Sequence, residues 1–480
     1  MGDKKLINNF FIYMLRTIVV SIYPLIIFPY ASRVLGAEGI GKVQYIQSIA
    51  SYFQLLAAFG IASYGIREGA KVRDNKEKLS QLMYELIAIN AIMTGLSILI
   101  YGTVFLVPKL ANYRELLVIF VPYVLFFGLN LDWVFNVLED YLYITIRTVV
   151  IYAVSIVLLF ALVRNANNTL EYAIVTIVPY VGSFFLNIWT VKQKSLLKGR
   201  YKLNLKQHMW GITLLFSIIL SSSVYSLLDT TMLGFMKDDV SVGLYTAASK
   251  LTRLVVQLVA AMSTVFSPRL SYYAGKKELN TFKELAGRTT SLSMLFAIPC
   301  AMGLIMFSSQ SIELFSGIEF LDADIAMKIL SVNVIFSSIN GILGWQILVP
   351  NNKDIVLFSA TCMGGIVDMF FNLLFIPIWG INGAAVATLL SEFAVFIICV
   401  IFSKDYISVK SISTNCSKYL MAGIPIIILG LLSKIIQLNA WLTLCIAVPI
   451  AAVCYFGILL KCKDECVTEI LNHVRNKKQP

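Results

Sequence analysis

Histidine is almost missing from this chain of 480 residues, which holds only His208 and His473. A centre built on imidazole acid–base chemistry, or a zinc site needing several imidazoles, has little to draw on. Charge is scarce as well, at 14% of residues against 58% hydrophobic, which points away from a soluble domain and toward lipid. Cysteine does not occur before residue 300, and the eight present (300, 362, 399, 416, 445, 454, 462 and 466) lie mostly in apolar segments without the spacing of an extracellular disulfide framework. They read as small buried hydrophobes. Cys462 and Cys466 sit four apart among charges, but imidazole partners for zinc are lacking. Large polar insertions are also missing from one side of the chain, where no segment exceeds about fifteen residues. A membrane polymerase or ligase carries a bigger external domain than that, so the chain reads as a non-enzyme.

What is abundant is apolar sequence. A run of about 20 apolar residues spans a hydrocarbon core of roughly 30 Å, and such runs recur from end to end. They predict helices over 8–34, 40–66, 80–107, 116–138, 142–163, 169–191, 209–236, 243–266, 289–309, 325–349, 355–376, 382–403, 417–433 and 440–460, fourteen in all. The first follows "MGDKK" and is too long for a signal-peptide core, so it reads as a retained membrane helix; Leu6 does not suit a myristoylation signal. The net charge of +12 is topological rather than a sign of nucleic acid. Lys and Arg gather in "REGAKVRDNKEK" (67–78), "KQKSLLKGRYKLNLK" (192–206), "RLSYYAGKKELNTFKELAGR" (269–288) and both tails, which makes that side, and both termini, cytoplasmic. These loops read as solvated, with an anionic-lipid or partner site as the other reading.

A hint of duplication links "VLGAEGIGKVQY" (34–45) after the first helix to "MLGFMKDDVSVGLY" (232–245) after the seventh. Six helices separate the copies, so both enter from the same side, as in a parallel repeat. The expected architecture is an all-α polytopic membrane protein: a six-helix lobe over 1–206, a second over 207–404, and over 405–480 a helix pair with a basic cytoplasmic tail. Pro24 and Pro29 predict a bend in the first helix.

Several charges lie at membrane depth, where Arg, Lys or Asp costs roughly 2.5–3.5 kcal/mol at a helix centre on the lower scales. Thr246, Lys250, Arg253 and Gln257 follow 4, 3, 4 spacing, which aligns them on one helix face as a polar lining. Lys250 lies roughly 10 Å from the outer end at 1.5 Å per residue, within reach of snorkelling, whereas Arg253 is near mid-depth. Arg16 is similar in the first helix; Arg147, shallow in the fifth, reads as snorkelling, and Lys328 stays at the rim. The acids are Asp132, Asp229, Asp368 and Glu392. Asp368 with Asn372, and Thr388 with Glu392, share faces by i,i+4 spacing. These acids read either as partners of Arg16, Arg147 or Arg253, or as a cluster binding Na⁺ or H⁺ for gradient coupling. Cations on a cavity imply an anionic ligand, and the Arg fork suits the oxygens of a lipid pyrophosphate. Tyr45, Gln47, Ser51 and Asn340 suit packing, interhelical hydrogen bonds or sugar hydroxyls.

"RVLGAEGIGKVQYIQSIASYFQLLAAFGIASYGIREGAKVRDNKEKL" (33–79), "DTTMLGFMKDDVSVGLYTAASKL" (229–251) and "WGINGAAVATLLSE" (379–392) resemble marker segments of Wzx-type flippases, in the polysaccharide-transporter branch of the multidrug/oligosaccharidyl-lipid/polysaccharide exporter superfamily. The resemblance covers nearly the whole chain. It implies two six-helix lobes with alternating access and a cargo of undecaprenyl-diphosphate-linked oligosaccharide, moved across a bacterial plasma (inner) membrane for capsule, O-antigen or cell-wall polysaccharide, in company with the polymerase and chain-length machinery and without a cofactor. By similarity to the lipid II flippase branch, Arg16 and Arg253 would engage the diphosphate, with Lys250 and Arg147 as further candidates. A sodium site there would map onto Asp229, Asp368, Asn372 and Thr388, beside Glu392 and Asp132. That branch also has a cavity Arg in its second helix, and 43–66 contains none. Lipid II is therefore disfavoured as cargo; a drug/cation antiporter is the other alternative.

Overall fold

Gly36 decides the path of the first membrane helices. In the computed structural model, which describes residues 2–197, 199, 201–436 and 438–468 (backbone alone for 2–11, 13 and 409–413), α1 (Gly2–Ala58) stays helical through Pro24 and Pro29. It breaks at Gly36, with φ 68° and ψ −177°. Proline removes one hydrogen bond but keeps a helical φ, whereas this backbone conformation is open essentially to glycine alone. The break falls seven residues after Pro29, in the junction expected between the helices over 8–34 and 40–66. At about 1.5 Å per residue an unbroken helix of 57 residues would be far longer than a hydrocarbon core. The break turns it into two crossings.

The helices that follow are α2 (Ile61–Val72), α3 (Lys76–Val104), α4 (Arg114–Gly128), α5 (Asp132–Val137), α6 (Tyr141–Leu162), α7 (Thr169–Gln193), α8 (Lys206–Met236) and α9 (Asp239–Thr264). Then come α10 (Ser267–Lys276), α11 (Leu279–Met306), α12 (Ser308–Ser316), α13 (Asp324–Gly341), α14 (Asp354–Trp379), α15 (Ile381–Ser403), α16 (Val409–Ala422), α17 (Ile424–Ile436) and α18 (Ala440–Lys461). No strand occurs among the described residues. The protein is all-α and crosses a membrane many times. Twelve of its described helical segments are long and apolar enough to span, thirteen with the α9–α10 pair, which is bent by 48°. The first of the twelve contains the Gly36 break and supplies two crossings, in line with the fourteen read from sequence.

Two of the expected helices are interrupted. The one at 116–138 ends at Gly128 and restarts at Asp132, and the one at 325–349 gives way at Ile342–Leu348 to a π-helical turn, then a 3-10 turn over Val349–Asn351. Polar residues at these interruptions explain them, as described below. Start signals are ordinary: Asn75 accepts from the backbone N–H of Glu77 and Lys78 at 3.1 and 3.0 Å, and Asn439 from that of Leu442 at 2.8 Å.

The chain packs as two compact units, Met1–Gly243 and Leu244–Pro480. Each turns apolar side chains outward to lipid around a mainly apolar core that also buries polar groups, the inverse of a soluble domain's surface. Leu99, Val157, Ile366 and Val453 are exposed, while Asn90, Ser97, Ser155 and Asn187 are buried. The buried groups bind backbone on neighbouring helices. In the first unit Asn90 donates to the Ala57 carbonyl at 2.8 Å, Ser97 to Phe53 at 2.6 Å and Ser155 to Val175 at 3.0 Å. In the second, Ser391 donates to Gly364 at 2.9 Å and Tyr455 to Leu295 at 3.0 Å. Such bonds replace the hydrophobic drive that lipid cannot supply between helices. The same inversion corrects the cysteine reading: Cys399 is buried, but Cys300, Cys445 and Cys462 are exposed.

The two related segments of the first unit cross each other backbone to backbone. A Cβ on Gly41 would lie 1.7 Å from the Asp239 carbonyl oxygen, and one on Gly243 would lie 2.0 Å from that of Ala37. Tyr45, a candidate sugar contact, is instead buried and lies edge-on to Phe235 and Tyr113 at 5.6 Å.

Gly36→Ala should lower stability by about 1–3 kcal/mol, read as a lower melting midpoint of the detergent-solubilised protein. Gly102→Ala, where an added Cβ meets nothing within 4 Å, is the matched control and should melt no lower than the unmodified chain.

Candidate functional site

In the first unit the interruption after α4 frees Asn130 and Asp132 from a regular helical face, and both turn to the pair of helices that follows. Arg147 of α6 binds both carboxylate oxygens of Asp132, the Nη2–Oδ2 bond measuring 3.2 Å. Its Nη1 also donates to Asn187 Oδ1 of α7 at 2.5 Å. The Asn187 amide donates in turn to Asp132 Oδ1 at 2.6 Å and to Asn130 Oδ1 at 2.7 Å, and Tyr143 adds its hydroxyl at 3.2 Å. Arg147 is only 4% exposed. The snorkelling expected for it is replaced by a buried bidentate pair, because a carboxylate one helix away offers more than a reach to the interface. Asp132, considered for ion coupling, and Arg147, considered for cargo, thus bind each other. Arg16 of α1 is half-buried, within electrostatic reach of Asp132 and Tyr152. Its Nε is buried without a hydrogen-bond partner. Asp229 is buried on α8.

In the second unit the polar stripe of α9 divides by exposure. Thr246 is buried, Lys250 half-buried, and Arg253 and Gln257 exposed, while Thr252, Val259 and Ser263 on other faces are buried. Tyr245 of the same helix meets Thr388 Oγ of α15 at 3.0 Å. On α14, Asn372 donates to Asp368 Oδ2 at 3.1 Å, and both are buried. The antiparallel pairing of α14 with α15, marked by Ser391 on Gly364 and by Gly383 against Phe375, puts Asp368 level with Thr388. These residues, grouped by sequence, share one region of α14 and α15. Glu392 is held elsewhere: Asn340 of α13 donates to its carboxylate at 2.6 Å and to its carbonyl at 3.0 Å. Asn340 therefore serves as a partner for Glu392 rather than standing open for a sugar. Just beyond, in the π-helical turn, Gln346 donates to Ser263 of α9 at 3.1 Å.

Sequence reasoning missed Asn130 and Asn187, whose only signal is an amide inside an apolar run. It also missed Glu85, buried within "LMYELIAIN". No cluster of three or more His, Cys, Asp or Glu suited to a metal ion occurs among the described residues.

The model of the family described as polysaccharide biosynthesis protein matches residues 6–274, more than half of the sequence. The chain belongs to that family. A second family model, MatE, matches residues 214–345. Putative O-antigen transporters of Shigella dysenteriae and Escherichia coli K12 are each 22% identical to it, over 77% of this chain and 93% of the relative in the first case and over 80% and 92% in the second. A probable low-salt glycan biosynthesis flippase of Haloferax volcanii is 26% identical, over 39% of either chain, so that match spans well under half of the relative. Among solved structures the family's fold is shared with the lipid II flippase MurJ in its inward closed conformation (TM-score 0.74, 17% identity, 94% of this chain and 99% of that one). It is also shared with an inward-facing multidrug resistance MATE transporter (TM-score 0.67, 13% identity, 84% and 98%).

Removing one partner of a buried ion pair costs about 3–5 kcal/mol, because the other charge is stranded. Arg147→Ala should accordingly lower the melting midpoint far more than Arg253→Ala, whose side chain is exposed. The double change Arg147→Gln with Asp132→Asn should recover much of the loss in the same melting assay.

Proposed function

We propose that this protein is a flippase that moves undecaprenyl-diphosphate-linked oligosaccharide repeat units across the bacterial plasma membrane by ion-coupled alternating access, supplying capsule, O-antigen or a related polysaccharide. It performs no covalent chemistry. The observation that carries the reading is the α9 face: within a family of polysaccharide biosynthesis proteins, a membrane helix holds Lys250 and Arg253 one turn apart with Arg253 exposed. Exposed cations at that depth are costly unless an anion comes to them. A diphosphate bears the matching charge, and the planar fork of guanidinium N–H donors suits its oxygens. Arg16 is the equivalent cation on α1. The paired Asp368 and Asn372, with Thr388 alongside, offer carboxylate, amide and hydroxyl oxygens for Na⁺, or a carboxylate for H⁺. The polymerase and chain-length machinery would receive the cargo on the far side.

The MatE match and the multidrug-transporter fold favour one rival, a drug/cation antiporter. Its cationic substrates need open carboxylates. Here Asp132 is bound by Arg147 and Glu392 by Asn340, which supports the anionic cargo instead.

The deciding experiment is lipid analysis of a deletion strain. The flippase predicts that undecaprenyl-diphosphate-linked oligosaccharide accumulates on the cytoplasmic side while surface polysaccharide disappears; no accumulation, together with new sensitivity to cationic drugs, would select the antiporter. In the complemented strain Arg253→Ala should abolish surface polysaccharide at normal protein level, and unchanged polysaccharide would remove the diphosphate role. Asp368→Asn should make transport into vesicles insensitive to an imposed Na⁺ or H⁺ gradient.

A further inference from the structure

A polar cluster that none of these roles uses is buried at the end of α8 that the charge pattern places on the cytoplasmic side. His208, Glu85 and Tyr64 are 7%, 2% and 6% exposed. His208 Nε2 lies 2.8 Å from Glu85 Oε2, and Nδ1 lies 2.9 Å from the Tyr64 hydroxyl. Glu85 also accepts from the Asn204 backbone N–H at 3.0 Å and from the side-chain amides of Gln207 and Gln81 at 3.1 and 3.2 Å. The Gln207 amide lies 3.1 Å from His208 Nε2 as well. The other charges facing the cluster are Arg67, over the Tyr64 ring at 5.3 Å, and Glu68, bound to Arg67 at 3.0 Å, both on α2, with Lys206 beside it on α8. Three helices, α2, α3 and α8, thus meet at one imidazole. Elsewhere α8 is held less closely: between Ile212 and Asp229 none of its residues is buried.

An amide side chain would satisfy two hydrogen bonds here without carrying a charge. Histidine is the side chain whose unperturbed charge changes between about pH 5 and 8, and this chain keeps it at a position where it touches a buried carboxylate. We propose that Glu85, His208 and Tyr64 form a proton-binding site that latches the cytoplasmic end of α8 onto α2 and α3.

In the deprotonated state Tyr64 donates its O–H to Nδ1 and the Nε2–H donates to Glu85. A proton taken from water binds Nδ1. The ring then donates on both sides, the Tyr64 oxygen becomes an acceptor, and its own hydrogen turns away. A cation-to-carboxylate bond is stronger than its neutral counterpart, so the latched arrangement binds the proton more tightly than the released one. Protonation therefore tightens the latch, and loss of that proton weakens it to the two neutral hydrogen bonds, with Glu85 keeping its amide donors. The site is separate from the Asp368 and Asn372 pair. What the latch would gate rests on the transporter reading, but proton binding itself is testable without any cargo.

With only two histidines in the sequence, the full chain in nanodiscs, labelled with ¹³C,¹⁵N-histidine, yields two ring signals, and His208→Gln identifies which is His208. The expected result is a His208 ring that gains a proton as the pH is lowered through the range in which the chain stays folded. Amide exchange of residues 204–212, corrected for the intrinsic pH dependence, should slow about fivefold across that range, and Glu85→Gln should flatten the change. A ring that keeps one protonation state throughout, or that titrates without altering this exchange, overturns the proposal. The unmodified chain alone decides it should either variant fail to fold, and neither outcome bears on whether oligosaccharide is the cargo.

Discussion

Hydrocarbon offers polar groups no partner, so most of those inside this protein find their partners in the chain. That constraint organises both units. Side-chain hydroxyls and amides reach across to neighbouring backbone carbonyls, as Asn90 does to Ala57 and Tyr455 to Leu295. Charged groups are drawn together from distant parts of the sequence, as in the knot of Asp132, Arg147, Asn187 and Asn130. Where the helix ladder itself is broken, polar side chains stand at the break. The bundle is thereby pinned by directional bonds, with apolar surface left for the lipid.

Such pinning is selective. Arg147 is spent on a carboxylate and Glu392 on an amide, and these groups define structure. Arg253 stands exposed on a face whose neighbour Lys250 has the same sign. The exposed cation on α9 thus contrasts with the bound Arg147, and the family to which the chain belongs is described as polysaccharide biosynthesis protein. The proposed anionic cargo rests on these two observations taken together.

The spans were legible because run length is a direct consequence of bilayer thickness, and it needs no knowledge of neighbours. The grouping of Asp368, Asn372 and Thr388 was partly legible for a similar reason: i,i+4 spacing fixes a face, and a tight connection at Gly380 fixes the antiparallel register. The Arg147 pairing was not, since Asn187 lies 40 residues further along and nothing in the local spacing says which helices adjoin. The junction between the first two crossings was legible as a gap between apolar runs, whereas the glycine-only backbone at Gly36 that makes it becomes visible only in three dimensions. Glu85 and His208, 123 residues apart, were illegible as a pair because each sits alone in its own segment.

The π-helical turn at Ile342–Leu348 has a consequence for how this lineage can change length. A π turn bonds each N–H one residue further back than an α turn does, and so stores one extra residue in a helix whose ends stay put. Losing a residue there would let the α ladder close within the turn, with the helix on either side keeping its place. Gln346 would then swing away from Ser263, although Asn340, before the turn, would keep Glu392. A single-residue change of length there would thus be absorbed by the span and would alter one of its two polar contacts while leaving the other in place.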